Sequence, residues 1–181
     1  QLAKAYDLNG QREESIAALR KLVYEYPGSQ YNTEARFRIA EHEFSTGRYV
    51  AAADNYAAVY ASQDNEEFRD QAIYKQAWSL YKASDYDAAQ PLFFKVIEEW
   101  QPKTQSPNKA QASNALKLLD DTFNIISLSF IQQDGAKSVD AYFRKVGKKD
   151  YIPDVYMNLG QTYLGKRLYR NAAETFDYFV A

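Results

Sequence analysis

Residues 37–59 read FRIAEHEFSTGRYVAAADNYAAV, and residues 74–96 repeat their pattern 37 positions later as YKQAWSLYKASDYDAAQPLFFKV. An aromatic residue, a small residue, a turn residue, a second alanine and a second aromatic keep the same spacing: Phe37, Ala40, Gly47, Ala52 and Tyr56 correspond to Tyr74, Ala77, Ser84, Ala89 and Phe93. A period of this length is typical of arrays whose units are helix pairs that cannot bury their apolar faces alone. The pattern therefore predicts an all-α solenoid of helix–turn–helix repeats.

Composition limits the function classes. The 181 residues include 46% hydrophobic residues, and 22 basic against 24 acidic residues give a formal charge of −2, so no global field favours nucleic acid or an anionic membrane. The absence of cysteine excludes disulfides, thiolate nucleophiles and cysteine-based zinc sites. The longest apolar-rich stretch, residues 123–131, is too short and too interrupted to cross a bilayer. We therefore expect no direct membrane insertion by this segment.

Five repeats can be placed by the small residue of their first helices, at Ala3, Ala40, Ala77, Ser127 and Gly160. The steps are 37, 37, 50 and 33 positions, so the third step carries an insertion of about a dozen residues. We expect the repeats at about residues 1–28, 33–64, 70–102, 120–150 and 153–181, with a loop or insertion at about 103–118 and a helical stretch from about Ala110. The helical pattern runs at both ends, so we expect a fragment of a longer protein.

Repeat five has the clearest pattern, with Tyr156, Leu159, Gly160, Tyr163, Ala172 and Phe176 at successive spacings. This pattern resembles the tetratricopeptide repeat, a helix–turn–helix unit of about 34 residues. The resemblance implies a right-handed superhelix whose concave face, formed by the first helix of each repeat, binds a protein or peptide partner. Tyr26-Pro27-Gly28-Ser29 resembles linkers of bacterial cell-envelope repeat proteins, and residues 134–147 resemble envelope proteins associated with TonB-type energy transduction. These resemblances imply a periplasmic or cell-envelope setting.

The resemblance also implies the residues that would contact a partner on the concave face. They are Phe37, Glu41, Phe44, Tyr74, Trp78, Tyr81, Leu128, Ile131, Met157 and Gln161. Spacings of three and four positions place each set on one helical stripe. Tyr74, Trp78 and Tyr81 form the densest cluster, and large rigid rings are common anchors of interaction surfaces. The alternative is that some of these rings pack against the neighbouring helix and never contact a partner.

Chaperone-binding members of this family hold a C-terminal carboxylate in a clamp of basic and asparagine side chains. The matching region here offers Glu41 and Trp78, with Arg38 and Lys75 as the nearby cations. Because this set is a poor carboxylate trap, we do not expect chaperone-tail binding.

Residues typical of catalysis do not converge in the sequence. His42, the single histidine, lies between Glu41 and Glu43, but neighbouring helical residues point about 100° apart. We therefore expect His42 to be a solvated or partly packed helix residue, with no metal site. The acid pairs at 98–99 and 120–121 are expected on solvated helix faces, and no phosphate loop or nucleophile elbow is present. The sequence predicts no enzyme, catalytic residue, metal or cofactor.

Two basic clusters remain, one at residues 144, 145, 148 and 149 and the other at residues 166, 167 and 170. A helix about 20 Å long would separate them, so they form two small patches rather than one phosphate-tracking stripe. We expect no nucleic-acid partner.

The sequence thus favours a non-enzymatic protein–protein interaction scaffold in a bacterial envelope assembly or energy-coupling system. Two alternatives stay open. The chain could be the recognition or regulatory region of a larger enzyme, or its aromatic groove could bind a small molecule or glycan in a closed pocket at Trp78.

Overall fold

The structure, a computed structural model, describes residues 1–62 and 66–180, with side chains described except at positions 66 and 67. The regular structure of these residues is helical. Its α-helices are α1 (Leu2–Leu8), α2 (Arg12–Glu25), α3 (Asn32–Ser45), α4 (Tyr49–Ala61), α5 (Glu66–Lys82), α6 (Tyr86–Trp100), α7 (Lys109–Ile131), α8 (Ala136–Val146), α9 (Ile152–Gly165) and α10 (Tyr169–Val180). A short 3-10 helix, Gln101–Gln105, follows α6. The expected all-α helical repeat solenoid is confirmed.

The chain divides into two compact units, an N-terminal unit of Gln1–Leu92 and a C-terminal unit of Phe93–Ala181, and the division falls within α6. Pro91 also lies inside α6 and does not end the helix.

In the N-terminal unit, α3 packs against helices on both of its sides. Ala35 and Ile39 join a buried cluster with Ile16 and Leu19 of α2. On another face of α3, the buried residues Phe37 and Ala40 pack with Ala52, Tyr56 and Val59 of α4 and with Ala72 of α5. Helix α3 is thus shared between two neighbouring helix pairs, as expected of a stacked repeat.

In the C-terminal unit, an aromatic core surrounds Phe94 of α6. Its ring stacks on Tyr142 at 4.8 Å and on Tyr151 at 5.6 Å between centroids, and it meets Phe143 edge-on at 5.2 Å. Such ring pairs add specific geometry to the apolar area that they bury. They hold α6, α8 and the start of α9 together.

The turns within repeats one, two, three and five share one backbone motif. A left-handed residue occupies equivalent positions at Gly10, Gly47, Ser84 and Arg167, with φ of 72°, 77°, 64° and 60°. In each case the next residue donates its N–H to the carbonyl five residues back, at 2.8–2.9 Å. This hydrogen bond satisfies a carbonyl left free at the helix end. The first three motifs are 37 residues apart, which is the repeat length that the sequence predicted.

The small residue of the last repeat allows close helix packing. Gly160 of α9 faces Phe176 of α10, and an added Cβ would lie 2.6 Å from Cε1 and 3.1 Å from Cε2 of that ring. The equivalent residues Ala40 and Ala77 are fully buried. Close approach of the paired helices therefore depends on the small side chains that mark the repeats.

The helical stretch expected from about Ala110 within the insertion begins at Lys109 and continues as α7, a single helix of 23 residues. Asn108 caps α7, since its side-chain Oδ1 accepts hydrogen bonds from the backbone N–H groups of Ala110 and Gln111. The extra residues therefore lengthen the first helix of repeat four. Helix α5 of repeat three begins at Glu66, and the expected end of repeat two at residue 64 lies outside the described residues.

Candidate functional site

Three aromatic side chains of α5 form a continuous contact chain. Tyr74 meets Trp78 edge-on at 6.3 Å between centroids, and Trp78 meets Tyr81 at 5.6 Å. Tyr81 continues the chain to Tyr86 of α6 at 5.4 Å. All four rings are half-buried, so each is held by its neighbours and keeps part of its surface in contact with solvent. We refer to these four residues as the aromatic chain.

A cation lies against the aromatic chain. The Lys82 ammonium lies 5.7 Å from the centroid of the Trp78 ring, within the range of a cation–π interaction. Burial raises the pKa of Tyr81, and the nearby Tyr86 raises it further, so the Tyr81 hydroxyl stays protonated near neutral pH. The aromatic chain therefore presents neutral, polarisable faces beside one positive charge.

The structure places Phe37 in the core rather than on an open surface. It is 9% exposed, and its ring contacts Phe68 at 4.9 Å and Tyr56 at 5.7 Å. The prediction that Phe37 contacts a partner therefore needs correction, because Phe68 of the following helix covers its ring. Phe44 is half-buried and packs edge-on against Tyr49 at 5.4 Å.

Glu41 lies on the predicted stripe, but its carboxylate is held within the chain. Lys75 forms an ion pair with it at 2.7 Å, and the Tyr56 hydroxyl donates a hydrogen bond to it. Burial raises the pKa of Tyr56, and the bond to Glu41 raises it further. Arg38 is likewise paired with Asp7. Both cations near a possible carboxylate clamp, Arg38 and Lys75, are thus paired with carboxylates of the chain.

In the C-terminal unit, the predicted contact residues lie on α7 and α9. Leu128 and Ile131 are half-buried, whereas Gln161 is exposed and Met157 is 47% exposed. Polar side chains tie these helices together. Ser127 donates to Asn158 Oδ1 at 2.8 Å, and Asn158 Nδ2 donates to Asn124 at 3.1 Å. This face therefore combines apolar side chains with a polar link between α7 and α9.

His42 is more deeply buried than the sequence suggested. Its exposure is 2%, because its position on α3 faces α2, and its Nε2 lies 3.5 Å from Glu13 Oε1. Glu43 is also buried and accepts hydrogen bonds from Arg20 at 3.2 Å and Asn55 at 2.9 Å. Glu41, His42 and Glu43 are consecutive in the sequence, but each of them contacts a different set of partners. Among the described residues, no group of three or more His, Cys, Asp or Glu could hold a metal ion.

One polar cluster escaped the sequence reasoning. Glu98, expected on a solvated face, accepts hydrogen bonds from Lys149 Nζ at 2.6 Å and from the Tyr151 hydroxyl at 3.0 Å. The bond from Lys149 lowers the pKa of Glu98, whereas burial and the bond to Glu98 raise the pKa of Tyr151. The cluster borders a cleft of about 550 Å³. Since 51 residues separate Glu98 from Lys149, no local spacing could have revealed it.

The two basic clusters differ in their pairing. In the first, Arg144 pairs with Asp140 at 2.8 Å and Lys149 with Glu98 at 2.6 Å. In the second, at residues 166, 167 and 170, no cation forms an ion pair with any residue that the structure describes.

None of the helices described is both long and apolar enough to span a membrane.

Comparison with known families agrees with this geometry. Residues 1–29 and 71–101 match the family model of the tetratricopeptide repeat. The first match covers α1 and α2, and the second covers most of α5 and α6. The matches support a tetratricopeptide repeat protein, and such repeats generally serve as protein–protein interaction modules. No curated protein matches the chain.

Proposed function

We propose that this protein is a non-enzymatic scaffold that binds a segment of a partner protein at the aromatic chain, Tyr74, Trp78, Tyr81 and Tyr86. The observation that carries the proposal is the arrangement of these four half-buried rings, with successive centroids 5.4–6.3 Å apart. Tyrosine and tryptophan are enriched among the residues that dominate binding energy at protein interfaces.

The packing of the rings favours binding because it lowers the entropy that a partner must overcome. An exposed side chain costs about 0.5–1.5 kcal/mol to immobilise at an interface. Here each ring already contacts at least one other, and Lys82 covers part of Trp78. A partner would therefore meet a partly ordered surface, on which an apolar or extended segment gains contact area at low cost.

The proposed setting is the bacterial envelope, in assembly or energy-coupling machinery. Its support is the sequence Tyr26-Pro27-Gly28-Ser29 and the segment at residues 134–147, which resemble envelope repeat proteins. The first of these forms the connection between α2 and α3, and Tyr26 is 63% exposed there. Cell fractionation of the source organism, followed by immunodetection of the protein, tests this setting. Recovery in the cytosolic fraction would contradict it.

Affinity capture tests the binding proposal. Tagged wild type and a Tyr74→Ala/Trp78→Ala variant are incubated with lysate of the source organism, and the retained proteins are compared by mass spectrometry. We expect a partner that wild type retains and the variant loses. A Tyr24→Ala/Tyr31→Ala variant is the matched control, because those rings are 88% and 58% exposed and lie outside the aromatic chain.

The outcome separates the proposal from its alternatives. A partner retained equally by all three proteins would move the binding site away from the aromatic chain. Under the ligand-pocket alternative, a small molecule or glycan binds in place of a protein. Such a ligand would protect the wild type against thermal unfolding but would not protect the Tyr74→Ala/Trp78→Ala variant. Circular dichroism spectra must show that both variants keep their helical content.

A further inference from the structure

The turn between α9 and α10 carries a concentrated and unpaired positive charge. Lys166, Arg167 and Arg170 are exposed, and none forms an ion pair with a described residue. Glu174, one helical turn beyond Arg170, does not pair with it. Other cations, such as Lys145 and Lys148, also have no ion pair with a described residue. What distinguishes this turn is that three such cations lie within residues 166–170, in a protein of net charge −2.

The backbone makes the presence of Arg167 harder to explain by folding alone. It occupies the left-handed position of the shared turn motif, with φ of 60°, where repeats one, two and three have Gly10, Gly47 and Ser84. Glycine adopts this conformation without strain, whereas a residue with a Cβ does not. Strained residues of this kind concentrate at functional positions. Formation of the turn therefore does not require the arginine side chain.

Apolar side chains lie among the cations. Leu168 and Tyr169 are 44% and 65% exposed, and Leu164, on the last turn of α9, is 45% exposed. Three cations and three apolar side chains thus share the short segment 164–170, which we call the basic turn. It combines positive charge with apolar groups that can enter the interfacial region of a bilayer, where tyrosine is enriched.

From these observations we infer that the basic turn docks the protein peripherally on an anionic lipid surface. The composition of the segment favours an anionic bilayer surface as the occupant, because exposed cations and exposed apolar side chains lie together in one turn. Anionic headgroups attract every nearby cation without requiring a matched surface, and Leu168 and Tyr169 add apolar contact. This inference is independent of partner binding at the aromatic chain.

The expected contribution of the three cations to membrane binding can be stated as a ratio of binding constants. A lysine or arginine near an anionic membrane surface increases binding about fivefold, so three cations together contribute on the order of a hundredfold. The attraction falls off within a Debye length, about 10 Å at 0.1 M salt, so binding must weaken as salt is added.

Vesicle flotation tests the inference with the whole chain. The probes are vesicles of phosphatidylcholine alone and of phosphatidylcholine with about 30% phosphatidylserine, at about 0.1 M salt. We expect wild type to float with the anionic vesicles only. The variant Lys166→Ser/Arg167→Gly/Arg170→Ser should lose on the order of a hundredfold in binding. Its Arg167→Gly change relieves backbone strain, so thermal melting should show no loss of stability.

A charge-matched variant provides the control. Lys117→Ser/Lys145→Ser/Lys148→Ser removes three exposed cations from elsewhere in the C-terminal unit and should keep full binding. Equal losses in both variants would overturn the inference, because binding would then follow net charge alone. Failure of wild type to bind the anionic vesicles would also overturn it. Binding of poly-glutamate through the basic turn, without vesicle binding, would assign the turn to an acidic protein instead.

Discussion

The contact between Gly160 of α9 and Phe176 of α10 predicts that Gly160→Ala destabilises the protein. The added Cβ would lie 2.6 Å from Cε1 of the ring, whereas carbon atoms in favourable contact are about 3.5–4.0 Å apart. The ring or the helix must therefore move by about 1 Å, and overpacking of this kind costs about 1–3 kcal/mol. The alanine also favours the helix by up to about 1 kcal/mol, which opposes the loss.

Gly165→Ala separates the two effects. This glycine lies in the same helix, and an added Cβ there would meet no atom within 4 Å. It should therefore show only the gain in helix propensity, about 0.5–1 kcal/mol at most. We expect Gly160→Ala to be less stable than Gly165→Ala by about 1–3 kcal/mol in urea unfolding followed by circular dichroism.

A second substitution tests whether contact with the Phe176 ring causes the loss of stability in Gly160→Ala. Phe176→Leu removes the ring that the new methyl group would strike, so Gly160→Ala should cost less in that background than in wild type. If Gly160→Ala proved as stable as Gly165→Ala, or if its cost were unchanged by Phe176→Leu, the assigned contact would be wrong.

Two further substitutions test other parts of the structure. Ser84→Gly should stabilise the protein by about 1 kcal/mol, because Ser84 has a φ of 64° where glycine is unstrained, and a lower melting temperature than wild type would contradict this. Glu98→Gln should destabilise the protein more at pH 6 than at pH 3.5. The bond from Lys149 lowers the folded-state pKa of Glu98 below its unfolded value of about 4.3, so the stabilisation is present above that pH and is lost as pH falls through the folded pKa. Urea unfolding at the two pH values measures the difference, and an equal effect at both would count against the charged bond.

The repeat architecture was readable from the sequence because it depends on local spacing. Ala40 and Gly160 are small where paired helices approach closely, and Gly47 occupies the left-handed turn. The aromatic spacing 74, 78, 81 likewise predicted one stripe, and the structure brings those rings into contact.

The remaining features depend on contacts that spacing does not encode. Phe37 was assigned to an open face, but Phe68 covers it from the following helix. His42 is buried because α2 lies against its side of α3, which the position alone did not indicate. Residues 101–105 form a short 3-10 helix and residues 109–118 belong to α7, so the insertion expected at about 103–118 is mostly helical.

Site-specific photo-crosslinking in cells of the source organism tests the central claim most directly. A photoreactive amino acid replaces Tyr81 in the aromatic chain or, as the control, Tyr24, which is 88% exposed on α2. Our account predicts that one partner protein is crosslinked from position 81 and not from position 24. Crosslinking of the same partner from position 24 alone, or equally from both positions, would contradict it.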